Sequence, residues 1–147
     1  MTFVVPFDGS TGSEAALVRA CEIGEAMGET VVAVTVVPTG NTDYARSKGW
    51  LDAAESFDSE AIVARLTDQV MAAAPDATFE HLESSRDVSG NSIAKPIRRF
   101  ARDNGASMVF IGSNNTGRLT TSLSSVGDRI STDQSYDVVI VRQQRSA

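Results

Sequence analysis

Cysteine and histidine are almost missing from this chain, with one of each, Cys21 and His81, in 147 residues. That scarcity excludes an intrachain disulfide framework, leaves no credible zinc or haem site, and removes any catalytic scheme built on a Cys/His pair. Long hydrophobic runs are absent too. No stretch approaches the roughly 20 apolar residues that span a bilayer, and the N-terminus lacks the basic-then-apolar layout of a signal peptide, so a cytoplasmic protein with no membrane partner is expected. Positive charge is also scarce: 13 Lys+Arg against 19 Asp+Glu give a formal charge of −6, with a pI near 4.7. This argues against nucleic acid as the main partner, because phosphate backbones reward basic patches, but it does not exclude a small phosphate ligand. Lysine is rarest of all, two against eleven arginines. A salt-adapted, halophile host and ordinary compositional drift both produce that skew.

What is present describes a soluble globular protein, 41% hydrophobic and 22% charged, with the length of a single domain over 1–147. Residues 2–8, TFVVPFD, form a β-branched and aromatic run ending in Asp-Gly-Ser turn chemistry, which predicts a first strand. Ala16, Ala20, Ile23 and Met27 then recur at helical spacing, with Ser13 or Thr11 as N-cap and Gly28 as the stop. Residues 30–37, TVVAVTVV, are apolar at nearly every position, the signature of a strand buried on both faces of a parallel sheet. Segment 38–54 reads as polar and irregular. Ala61, Val63, Leu66, Val70 and Ala74 support a helix ended by Pro75, and residues 77–83 read as a strand nearer the edge.

After a loop at 87–91, a helix is expected from Ser92 to Asn104, with Pro96 in its first turn and Gly105 closing it. Met108–Ile111 and Val138–Val141 complete the strands, and Leu119, Leu123, Val126 and Ile130 predict a short helix between them. The alternation of strand and helix implies an α/β fold with an open parallel five-stranded sheet and helices on both faces. Ligands of such sheets bind beyond the carboxyl ends of the strands, where strand order reverses. Two loops qualify. In Asp8-Gly9-Ser10, the Asp8 carboxylate is an acceptor for a ribose hydroxyl or an adenine amino group, or only a turn cap. In the stretch Ile111–Val126, IGSNNTGRLTTSLSSV, glycines and a helix N-terminus suit phosphate, although Ser125 and Asp128 also have the spacing of a plain capping box. The Asp8 loop is neither a P-loop nor a GxGxxG fingerprint. Cys21, His81 and the basic face of Arg98, Arg99 and Arg102 read most simply as packed, exposed and solvated side chains.

Taken together, these loops resemble the universal stress protein family of the UspA type. VVPFDGSTGSEAALVRACEIGEAMGETVVAVTVV reproduces the family's first strand, turn, helix and second strand without a gap, and IRRFARDNGASMVFIGS, SSVGDRI and YDVVIVR repeat its second half in order. The resemblance implies strand order 3-2-1-4-5 and a homodimer through the last strand, Val138–Val141. It also implies that, in members that bind ATP, adenosine lies near the residues matching Asp8 and Val36. Phosphates there rest on a loop written GxxG, nine residues, then Gly and Ser or Thr. Gly112 matches the first glycine. Asn115 stands at the second, and Ser124 at the third when Ser125 supplies the hydroxyl, with eight residues between instead of nine. The register through Gly117 and Gly127 restores the spacing but puts Asp128 where a hydroxyl belongs. Each lost N–H contact to a charged oxygen removes about 1.5–3 kcal/mol, so two misplaced donors weaken binding on the order of a hundredfold. Arg118 offsets part of that by pairing with phosphate.

The expected function is a stress-response module binding ATP or another adenine nucleotide through Asp8, Val36, Gly112, Asn115, Gly117, Arg118, Ser124 and Ser125. The alternative is a dimeric adaptor of the same family that has lost the nucleotide and works through an unidentified protein partner. Catalysis would reach slow nucleotide hydrolysis at most, since Asp8 and Asp128 have no visible activating partner.

Overall fold

The computed structural model describes residues 2–88, 92–113 and 136–142. Strand β1, Thr2–Pro6, is followed by helix α1, Thr11–Met27, and strand β2, Thr30–Pro38. A short helix α2, Thr42–Ser47, precedes helix α3, Ser59–Ala73, and strand β3, Thr78–Ser84. Helix α4, Ala94–Asp103, and strands β4, Ala106–Gly112, and β5, Asp137–Val141, complete the described elements. All four strand pairings are parallel. The order across the sheet is β3-β2-β1-β4-β5.

Alternation along the strands divides the core into two layers. Phe3, Val5, Phe7, Ala33 and Val37 pack with Ala16, Leu17 and Ala20 of α1 and with Ile62, Leu66 and Val70 of α3. Val4, Val34, Val36 and Val109 pack on the other face with Ala94, Ile97 and Ala101 of α4. Central strands buried on both faces explain why β2 reads as apolar at nearly every position. Edge strand β3 has only exposed and half-buried positions, as its mixed sequence implies.

Several boundaries differ from the sequence reading for local reasons. Ser10, with extended backbone, is the N-cap of α1: its side chain accepts the Ser13 N–H at 3.2 Å. Ser13 instead lies inside the helix and turns its hydroxyl back to the Ser10 carbonyl. Met27, expected in the buried stripe, is 54% exposed. The face of α1 toward the sheet is carried by Ser13, Ala16, Leu17, Ala20 and Gly24, with Gly24 letting the helix backbone approach Val31 closely. On α3 the deeply buried position is Ile62, not its neighbours Ala61 and Val63. Gly28 and Gly105 adopt left-handed backbone where α1 and α4 end, and Pro96 falls in the first turn of α4, both as expected.

Candidate functional site

β1 is hydrogen-bonded to β2 on one side and to β4 on the other, so the chain winds outward in both directions from it. The carboxyl end of β1 is therefore the point where strand order reverses, the place at which a crevice opens in sheets of this kind. Beyond the last paired residues the Phe7 N–H still donates to the Val34 carbonyl at 2.8 Å, and the buried Thr35 hydroxyl donates to the Phe7 carbonyl. These bonds hold the Asp8 turn beside the end of β2. Asp8, Val36 and Gly112 thus stand at the carboxyl ends of three adjacent strands. Val36 directs its side chain into the core, where it is 3% exposed, and pairs in register with Leu82 of β3.

The Asp8 side chain is one-third exposed, 33%. Its Oδ1 accepts the Ser10 N–H at 3.0 Å, closing an Asx turn. Its Oδ2 accepts from Lys48 Nζ at 2.8 Å. Burial pushes the carboxyl up, but the Lys48 charge and hydrogen bond, with the Ser10 contacts, outweigh it and hold the pKa at about 2, against a reference of 3.8. Burial likewise works against the Lys48 ammonium, and the charge of Asp8 overcomes it and raises the lysine. The pair is fully ionised at neutral pH.

Lys48 comes from a folded strap between β2 and α3 rather than from an irregular loop. Asn41 caps α2 by accepting the Tyr44 N–H at 2.9 Å, and its amide donates to the Arg86 carbonyl at 2.7 Å. Lys48 Nζ lies 5.5 Å from the centre of the Tyr44 ring, which meets Trp50 edge-on with centroids 5.7 Å apart. Trp50 is buried, and its Nε1 donates to the Asp8 carbonyl at 2.8 Å. Arg65 of α3 fastens the far end. It donates to the Trp50 carbonyl at 2.6 Å and, through two nitrogens, to both oxygens of Glu55 at 3.0 and 2.8 Å. Those bonds lead the causes that hold Glu55 at about 2.

Gly112 has a packing role independent of any ligand. A Cβ there would stand 2.2 Å from the Gly12 carbonyl oxygen and 2.9 Å from the Ser13 nitrogen, both backbone atoms in the first turn of α1. The next residue, Ser113, donates its N–H to the Val141 carbonyl at 2.8 Å, while its shielded hydroxyl has no hydrogen-bond partner among the described residues. Buried hydroxyls normally find one.

The model of the universal stress protein family matches residues 1–142. The chain belongs to the universal stress protein family. Solved structures repeat its fold. A universal stress protein crystallised in complex with cAMP shares 23% identity over 98% of both chains, with a TM-score of 0.61. The universal stress protein UspA from Lactobacillus plantarum shares 17% over 97% of both, at 0.62. The universal stress protein from Archaeoglobus fulgidus in complex with dAMP shares 17% over 95% of both, at 0.56. No curated protein matches the sequence.

In this universal stress protein, Asn115, Gly117, Arg118, Ser124 and Ser125 lie outside the described residues, as do the helix expected over Leu119–Ile130 and the Ser125/Asp128 pair. The structure brings Asp8, Val36 and Gly112 together and adds Lys48, Tyr44, Trp50 and Ser113. The signal for the strap was present in the sequence. A lone tryptophan and one of only two lysines sit in a segment otherwise polar. Other candidates stay apart from the switch point. Cys21 is half-buried on α1, and burial raises its thiol. His81 is exposed on β3. Arg99 lies with Lys95 beside an open groove of about 920 Å³ between β3 and α4. Among the described residues no helix is long and apolar enough to cross a membrane.

Proposed function

We propose that this universal stress protein is a stress-response module that binds ATP or another adenine nucleotide across the carboxyl ends of β1, β2 and β4. Adenosine would lie at Asp8 and Val36, with the phosphates toward the segment that begins at Gly112. The observation that carries the reading is the convergence of those three residues, from three separate strands, on the reversal point of the sheet. Asp8 suits the group: an ionised carboxylate, one-third exposed, is the acceptor that ribose hydroxyls or an adenine amino group need. The Ser113 hydroxyl beside Gly112, without a partner among the described residues, is a donor or acceptor for the other end of the ligand. The relatives crystallised with cAMP and dAMP support the same ligand class. Isothermal titration with ATP and magnesium tests the proposal. Saturable heat is expected, and none at millimolar ligand would overturn it.

A second reading keeps the family and drops the nucleotide, leaving a dimeric adaptor that works through protein contacts. Two observations favour it: both Asp8 oxygens already have partners within the chain, and Gly112 is explained by its contact with α1. Mass spectrometry of small molecules released on denaturing the purified protein separates the two, since an adenine nucleotide at stoichiometric yield is incompatible with the adaptor. The homodimer belongs to both readings, with Val138–Val141 covering one another across two copies.

A further inference from the structure

The carboxylate on which an adenine nucleotide would land is occupied by the protein's own lysine. Lys48 Nζ is 2.8 Å from Asp8 Oδ2, and both side chains are 33% exposed. The ammonium is delivered there by the strap. Tyr44 lies beneath it, Trp50 anchors the same segment to the Asp8 carbonyl, and Arg65 and Asn41 tie the strap to α3 and to the chain after β3. The side chain is thereby held over the site rather than sampling solvent.

We infer that Lys48 is an internal competitor for the adenosine site, a latch that a ligand must displace from Asp8. The inference rests on the reading that adenosine binds at Asp8. A neutral ribose or adenine group reaching for Oδ2 must replace a charge-assisted hydrogen bond, and the apparent affinity is the intrinsic one multiplied by the fraction of molecules in which that oxygen is free. The latch is weak enough to open. An ion pair between two partly exposed groups is of modest strength and is screened by salt. Proton concentration does not work it near neutrality, because both groups stay charged there. Ionic strength does, so the site opens as the surroundings become saltier.

The experiment uses the full chain and adenosine, which has no phosphate to interact with the ammonium. Lys48→Met is expected to bind adenosine about fivefold more tightly than the wild type. Added salt should raise the affinity of the wild type and leave that of Lys48→Met unchanged. Lys48→Arg, which keeps a cation opposite Asp8, should retain both the wild-type affinity and its salt response. Trp50, the only tryptophan, should change its fluorescence as adenosine displaces the latch. Equal affinities with no salt response would overturn the latch and leave the nucleotide reading intact. Weaker binding by Lys48→Met would overturn it by making Lys48 a ligand contact. No binding by either protein at millimolar adenosine would overturn both.

Discussion

A methyl group at position 112 would meet backbone, not a movable side chain, 2.2 Å from the Gly12 oxygen. Gly112→Ala is therefore expected to destabilise the fold by about 3 kcal/mol, the upper end of what overpacking costs, as read by urea denaturation without ligand. A purely phosphate-binding glycine would leave that midpoint unmoved. Asp8 gives a prediction of the opposite kind, visible only in acid. Its folded pKa, about 2, lies below the reference of 3.8, so its contribution is present above the reference value and is lost as pH falls through about 2. The stability difference between wild type and Asp8→Asn should hold constant above pH 4 and shrink between about pH 4 and 2. Glu55 titrates in the same range but is common to both proteins and cancels. Both residues were legible as turn and loop positions, because glycine and aspartate mark such backbone. The partner that holds Asp8 comes from forty residues away, and no local pattern encodes that distance.

The sequence revealed all five strands, from apolar or alternating runs, and the helices α1, α3 and α4. α2 escaped because six residues are fewer than two helical turns and show no repeat. Its evidence is instead chemical, an Asn41 cap and aromatic residues that pack on one another. Ile62 was missed on α3 since its apolar neighbours Ala61 and Val63 blur the stripe, and only packing against the sheet singles it out. Arg65 joins α3 to the strap through one carbonyl and one carboxylate, so Arg65→Met should release the strap without unfolding α3. Hydrogen exchange should then quicken at residues 42–57 and stay unchanged at Leu66–Val70. Uniform acceleration along α3 would show that Arg65 supports the helix itself.

Across the whole molecule the sheet has two edges of different character. β3 is polar and carries charged side chains, which discourage pairing. β5 is short and apolar, and Ile140 on it is 42% exposed. A second copy seated on β5 would bury that surface, so light scattering at micromolar concentration should give a dimer mass, and Ile140→Arg should give a monomer with an unchanged circular dichroism spectrum. The strand order was legible only through the family resemblance, because the chain passes from β3 at one edge to β4 beyond β1 and no local pattern encodes that jump, whereas a dimer would depend on a surface outside the chain's own pairing. The placement of Lys48 has one more consequence. The chain has only two lysines, and the other, Lys95, lies in the first turn of α4. Cleavage after Lys48 needs that side chain to leave Asp8, so the rate at which a lysine-specific protease cuts there would time the opening of the crevice.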